Sequence, residues 1–323
     1  MSAPRHVVVT GAAGFIGSHL VDRLLAAGQT VVGIDSFTDY YDPALKEANL
    51  EGALAHSGFT LVRADLLSLL DGAGVVHEAF AGADVVYHLA AQAGVRSSWG
   101  RSFRIYTDDN VLATQAVLET CADLHVARVV CASSSSVYGD VTEMPLREDG
   151  PCRPVSPYGV TKLACEHLCR LYATGRGLHT VALRFFTVFG PRQRPDMAFN
   201  LFMRAVNAGE SITVYGGGGQ TRDFTYVDDI VAGILAAPAA PPGSVVNLGG
   251  GHRVSLLQAL DALAQVTGTR PSIVHAEAQR GDARDTWASL ERARELLGYA
   301  PATSLQEGLA AEWDWVLSTL RAC

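Results

Sequence analysis

The chain has 323 residues, 48% of them hydrophobic, and a formal net charge of −8. That is enough apolar material for one large domain or two coupled ones. The acidic balance and the lack of a Lys/Arg cluster argue against nucleic acid as a partner, and no apolar run reaches the roughly 18 residues of a membrane span. Met1 to His6 hold no hydrophobic signal segment, and the six cysteines form no C-x-x-C pair. A cytoplasmic protein with reduced thiols and no metal is expected.

His6-Val7-Val8-Val9-Thr10 reads as a short buried strand. It runs into Gly11-Ala12-Ala13-Gly14-Phe15-Ile16-Gly17 and then an amphipathic helix to about Ala27. Strand, glycine turn and helix are the setting of a dinucleotide-binding loop, here spaced G-x-x-G-x-x-G. Gly11 permits the tight turn, Gly14 lets a pyrophosphate approach the backbone, and Gly17 lets the helix pack closely on the strand. Phe15 and Ile16 open the helix whose N-terminus would face the phosphates. The second strand, Thr30 to Asp35, ends on a carboxylate placed to accept from the adenosine ribose hydroxyls. Asp35 would repel a 2′-phosphate and Ser36 brings no compensating guanidinium, so NAD is expected rather than NADP. A third strand, Phe59 to Val62, leads to Asp65-Leu66; Asp65 either accepts from the adenine amino group or closes a plain surface turn. The fourth strand, Asp84 to Leu89, ends in Leu89-Ala90-Ala91, where small residues would let the backbone pass close to a flat cofactor.

A long helix is predicted from Ser102 to about Leu124, with Asn110 polar at an otherwise packed turn. The fifth strand, Val126 to Ala132, delivers Ser133-Ser134-Ser135-Ser136-Val137-Tyr138-Gly139 to its C-terminal end, where open α/β sheets bind ligands. These hydroxyls are read as donors to a ligand. Ser156 and Pro157 suit the start of the next helix, as cap and first-turn residue. Tyr158 and Lys162 then share one face at i and i+4. An ammonium beside a phenol favours the phenolate, and a phenol tuned towards neutrality can take a proton from an alcohol and return it. A sixth strand spans Thr180 to Phe186. Strands alternating with helices predict an α/β fold with a Rossmann-type doubly wound parallel sheet. After Phe186 the alternation breaks. A Pro/Arg-rich loop, Thr187 to Asp196, precedes a helix to Gly209, a strand at Ile212–Tyr215, a helix to Ala236, a strand at Ser244–Leu248 and three later helices. This remainder predicts a smaller α/β C-terminal substrate-binding domain.

Together, Gly11/Gly14/Gly17, Asp35, Asp65-Leu66, His88 to Ala91, Ser133 to Gly139, Tyr158…Lys162, Arg184-Phe185-Phe186, Gly190-Pro191-Arg192, Arg222-Asp223-Phe224, Val227-Asp228-Asp229 and Arg280-Gly281-Asp282 resemble the extended short-chain dehydrogenase/reductases of the NAD-dependent epimerase/dehydratase family, which act on nucleotide sugars. Within that group, Asp39-Tyr40-Tyr41-Asp42-Pro43, Gln92 to Arg96 and Gly190 to Met197 are most similar to the UDP-glucuronate 4-epimerases. The resemblance implies an NAD-binding domain over 1–186, with 224–250, and a nucleotide-sugar-binding domain over 187–223 and 251–323. It implies tightly held NAD, with Ser133 among its contacts, and UDP-glucuronate as substrate. Tyr158 would remove the sugar O4 proton, Lys162 would hold the nicotinamide ribose, and Ser134 would hydrogen-bond O4. Ser135 and Ser136 stand where dehydratases and decarboxylases of the group carry an acid, which argues against both reactions. A 4-keto glucuronate is a β-keto acid, so the carboxylate must be held away from decarboxylating alignment; Arg192 is assigned that task, helped by Thr187 or Ser136. Arg222 and Arg280 match the group's diphosphate contacts. The rival is a UDP-glucose/UDP-galactose 4-epimerase using the same machinery, and, less favoured, a UDP-glucuronate decarboxylase. A homodimer is implied, through the Ser102–Leu124 and Tyr158–Thr174 helices.

Overall fold

The structure, a computed structural model, describes residues 6–277, 281 and 283–322. In chain order the first half reads β1 (His6–Thr10), α1 (Phe15–Ala26), β2 (Thr30–Asp35), α2 (Pro43–Leu54), β3 (Phe59–Arg63), α3 (Val75–Phe80), β4 (Val85–His88), α4 (Phe103–Tyr106), α5 (Ala113–Asp123), β5 (Arg128–Ser134), α6 (Pro157–Arg176) and β6 (Thr180–Phe185). The second half reads β7 (Thr187–Phe189), α7 (Ala198–Ala208), β8 (Ile212–Tyr215), β9 (Thr221–Arg222), β10 (Phe224–Tyr226), α8 (Val227–Ala236), β11 (Ser244–Leu248), β12 (Val254–Ser255), α9 (Leu256–Thr267), β13 (Ile273–Ala276), α10 (Glu291–Leu297) and α11 (Leu305–Ala322).

Seven parallel strands form the central sheet in the order β11-β6-β5-β4-β1-β2-β3. The direction of winding reverses between β1 and β4, and a crevice at such a reversal is where open α/β sheets bind ligands. The central strands are apolar on both faces because helices cover both. Val7, Val9, Val85 and Tyr87 pack under α1, α2, α8 and α10, while Val8, Val86 and Val129 pack under α3, α5 and the far end of α6. A third core joins α7, α9 and α11 around Phe189, Phe199, Met203 and Val316. Residues of β7 and β10, a parallel pair outside the main sheet, link this third core to the first.

The expected long helix is present, but α4 passes into α5 through a π-helical turn, Thr107–Leu112. Asn110, buried in that turn, accepts from the Gln92 N–H (2.7 Å) and donates to the Gln92 carbonyl (3.1 Å) and the Thr161 hydroxyl (3.0 Å). The helix thus departs from the α form where one side chain ties the β4 end to α6. Periodicity does not reveal α2, whose apolar residues form no continuous stripe; its signal is Asp42-Pro43. The Asp42 carboxylate accepts from the Ala44 N–H (2.9 Å) and Pro43 sits in the first turn. The predicted loop from Thr187 begins as strand β7, paired with β10.

Candidate active site

The glycine loop has the geometry its spacing predicts. Gly11 has φ 70°, and a Cβ there would lie 2.8 Å from the Ala90 nitrogen. A Cβ on Gly17 would lie 2.0 Å from the Gly11 carbonyl oxygen, so only glycine lets α1 start this close to β1. No side chain caps the α1 N-terminus. Its free N–H groups open on a cavity of about 260 Å3 lined by Gly11, Gly14, Phe15, Ile16, Gly17, Asp35, Asp65, Leu66, Leu89, Ala90, Ala91, Ser133, Tyr158 and Lys162. The fourteen residues expected from sequence to touch a dinucleotide therefore share one cavity.

The details refine several of those expectations. Asp35 is buried; its Oδ2 accepts from the Ala13 N–H (3.1 Å) and its Oδ1 from the Phe37 N–H (2.8 Å). Lys46 of α2 stands 3.5 Å from Oδ1, an ammonium that a sequence reading confined to Ser36 overlooks. Asp65 both lines the cavity and caps the turn that follows it, accepting from the Leu67 N–H (2.9 Å). The Ser133 hydroxyl donates to Glu166 (2.5 Å), which also pairs with Arg184 (2.8 Å), so it faces the cavities as an acceptor. Leu89 and Ala90 are held by Thr10, whose carbonyl and hydroxyl accept from their N–H groups (both 3.2 Å). His88 bridges the Thr10 and Thr114 hydroxyls (2.8 and 3.1 Å). Burial first, and the Lys162 charge second, push the His88 pKa down to about 3, so it works as a neutral strut and carries no catalytic proton near neutral pH.

A second cavity, of about 330 Å3, adjoins the first; both are lined by Phe15, Ile16, Ala93, Ser133, Tyr158, Phe185 and Arg194. Ser134, Ser135, Ser136, Thr187 and Arg222 line only the second. Tyr158 thus stands at the junction of the two spaces. Its helix starts as expected: the Ser156 hydroxyl accepts from the Gly159 N–H (3.1 Å) and Pro157 occupies the first turn. The Lys162 ammonium lies 6.0 Å from the Tyr158 ring centroid and donates to the Ala132 carbonyl (2.9 Å), leaving its other N–H donors available. The Ser134 hydroxyl accepts from the Ser136 N–H and donates to the Ser136 hydroxyl, both at 3.1 Å. Tyr106 packs edge-on against Tyr158 (6.2 Å between centroids) and its hydroxyl meets the carbonyls of Ala93 and Gly94 (2.9 and 2.8 Å). Helix α6 and the β4 loop are therefore joined through Tyr106.

One expectation does not hold as read. Arg192 lines neither cavity. It has φ 64°, which turns its side chain back towards α1, where Nη1 lies 2.7 Å from Asp22 in an ion pair off the line of a hydrogen bond. The arginine that reaches the cleft is Arg194, which lines both cavities. Its guanidinium is gripped by Asp196 (2.9 and 3.1 Å). Two arginines separated by one residue give no sequence signal of which faces inward; the left-handed backbone at Arg192 and its ion pair with Asp22 accompany the outward turn. Arg222 lines the second cavity and donates to the Thr221 and Arg284 carbonyls (both 2.9 Å). Arg280 lies outside the described residues. Tyr40, Tyr41, Lys46 and Asp109 also line the first cavity, and no spacing in the sequence marks them as site residues.

Residues 7–249 match the model of the NAD dependent epimerase/dehydratase family. An uncharacterized UDP-glucose epimerase of Bacillus subtilis, YtcB, is 43% identical over 320 residues, covering 97% of this chain and 98% of that protein. A UDP-glucuronate 4-epimerase of Thermodesulfobacterium geofontis is 35% identical, covering 96% of this chain and 95% of its own. The crystal structure of a Bacillus cereus UDP-glucuronic acid 4-epimerase, in complex with UDP-glucuronic acid and NAD, superposes with a TM-score of 0.93 at 40% identity, covering 97% of this chain and 99% of that one. With the glycine loop, the carboxylate ending β2 and the Tyr158–Lys162 pair gathered at one crevice, and a match over most of its length, the chain belongs to the NAD dependent epimerase/dehydratase family.

Proposed function

We propose that this chain is an NAD-dependent UDP-sugar 4-epimerase that interconverts UDP-glucuronate and UDP-galacturonate through a 4-keto intermediate. The observation that carries the reading is the junction of the cavities. A tyrosine, a serine hydroxyl and the Arg194 guanidinium line it, with Lys162 on the adjoining wall of the first cavity, and among the described residues no carboxylate lines the second cavity. The first cavity fits a dinucleotide: Gly11 and Gly17 leave no room for a Cβ, the open α1 N-terminus suits a pyrophosphate, and Asp35 closes the ribose end. NAD, when bound, supplies the hydride acceptor and donor.

The chain's own residues handle protons and orientation. Tyr158 takes the O4 proton and later returns it; Ser134 donates to O4 as charge develops there. Lys162, anchored on the Ala132 carbonyl, holds the nicotinamide ribose. Arg222 and Arg280 take the diphosphate. Ser135 and Ser136 leave no side-chain acid beside C5 and C6, so elimination lacks its proton carrier. Arg194, with Thr187 and Ser136, holds the sugar carboxylate out of alignment with the C4 ketone. A guanidinium–carboxylate bond contributes about 1.5–3 kcal/mol, enough to bias an orientation. The NAD-binding domain is assigned to 1–186 with 224–250 and the nucleotide-sugar-binding domain to 187–223 and 251–323, with Ser134 to Ser136 of the first reaching into the sugar cavity and Arg194 of the second into the cofactor cavity.

Proton NMR of the purified enzyme with UDP-glucuronate and no added cofactor tests the reading. UDP-galacturonate is the expected product. Turnover of UDP-glucose or UDP-galactose instead would move the assignment to the neutral-sugar epimerases, the class after which the B. subtilis relative is named. A UDP-pentose would mean that decarboxylation wins. Arg194→Ala is expected to shift the product from epimer towards pentose, whereas Arg192→Ala leaves the ratio unchanged. The reverse pattern would return the carboxylate to Arg192.

A further inference from the structure

Tyr40 has no role in the mechanism above and Asp196 enters it only by holding Arg194, yet the two meet beside the cofactor cavity. The Asp39-Tyr40-Tyr41-Asp42-Pro43 stretch leaves the end of β2 and runs along the cofactor cavity, which Tyr40 and Tyr41 line. The Tyr40 hydroxyl donates to Asp196 Oδ2 (3.3 Å), a residue 156 positions away on the segment after β7. Asp196 also grips Arg194, whose guanidinium lies 6.0 Å from the Tyr40 ring centroid. A third segment joins here. A Cβ on Gly94 would sit 2.8 Å from the Tyr40 hydroxyl oxygen, so the β4 loop passes directly against it. Three loops from distant parts of the chain thus converge on one phenol, and each contributes to the wall of the cofactor cavity.

We infer that Tyr40 and Asp196 form a clasp that retains the dinucleotide between turnovers. The chemistry gives such a clasp a purpose. Epimerisation returns the hydride to the sugar in every cycle, so the cofactor has no reason to leave, and its loss at the keto stage would strand an oxidised sugar and a reduced cofactor. Tyr40 acts through the loops it joins and is a positioning residue. The inference rests on the dinucleotide reading of the cavity and is independent of which sugar is bound.

The test uses NAD itself. Wild type, Tyr40→Phe and Asp196→Asn are passed over a desalting column, and bound NAD is measured after acid release. Wild type is expected to keep most of its NAD. Both variants are expected to lose it roughly ten-fold faster, the change expected from one hydrogen bond to a charged group. They should show a raised KM for added NAD, and in Tyr40→Phe, which leaves the Arg194–Asp196 pair intact, turnover lost on desalting should return when NAD is restored. The melting temperature of cofactor-stripped Tyr40→Phe should match that of stripped wild type, which separates a clasp from a general structural defect. Equal retention in wild type and Tyr40→Phe overturns the inference, as does a wild type that holds no NAD. A wild type that keeps NAD but does not turn over UDP-glucuronate overturns the sugar assignment alone.

Discussion

Arg192 and Arg194 stand two residues apart, and their side chains leave the backbone in different directions. The guanidinium of Arg192 ties the loop to Asp22 on α1, and that of Arg194 enters the cleft. Spacing cannot separate them, and Arg192 alone of the two has a left-handed backbone, at φ 64°. Tyr158 and Lys162 are the opposite case. Their separation fixes their shared face as soon as the segment is helical, and Ser156-Pro157 make it helical. Tyr158→Phe is therefore expected to lower kcat by about 10²–10⁴ while NAD still co-purifies. Steady-state turnover and nucleotide content of the same preparation check it; surviving activity would mean that another group is the base.

The element that presents Arg194 is the segment joining β7 to α7, held at nearly every position. The Gly190 N–H donates to Glu312 of α11 (2.8 Å), the Pro191 carbonyl meets His19 of α1 (2.9 Å), and Gln193 is bonded to Asn200 (2.7 Å). Glu312 is fully buried, one of its oxygens has no partner, and burial pushes its pKa up to about 8 from an ordinary 4.5. Asp223, also fully buried beneath the N–H groups of Gly250 and Ala288, is raised to about 7 because burial outweighs those donors. For a carboxyl raised in this way, the folded chain keeps a proton that the unfolded chain has released. Stability therefore falls as pH rises from about 4.5 to 8 on account of Glu312, then levels off. Glu312→Gln keeps an acceptor for Gly190 but cannot ionise. Thermal melts from pH 5 to 9 should show a shallower decline than wild type, by about 2–4 °C for each kcal/mol removed. Parallel curves would show that Glu312 does not titrate in this window.

On the scale of the whole molecule, Leu112 beside α5 and Val160 and Leu171 on α6 expose large apolar side chains, as does Ile105 on α4. These are the helices through which the resemblance implies pairing with a second copy. We propose that this face is the dimer interface, and Leu171→Asp is expected to shift sedimentation towards the monomer. A wild type that sediments as a monomer at micromolar concentration would remove the proposal. Among the described residues no helix is long and apolar enough to cross a membrane.

The sequence by itself determined what depends on neighbours along the chain. The alternation of strands and helices, the glycine turn with no room for a Cβ, the cap and spacing of the Tyr158 helix, and the hydroxyl run at the end of β5 are all local patterns. A parallel sheet carries such strand ends to one edge whatever the loops do. The tertiary structure decided what depends on residues far apart meeting in space. It gave the Ser133 hydroxyl to Glu166, paired Asp35 with Lys46, turned Arg192 outward and Arg194 inward, and joined Tyr40 to Asp196. Each of these is a choice among several possible hydrogen-bond or ionic partners for one polar group. No periodicity encodes that choice, because it is made only when the loops pack.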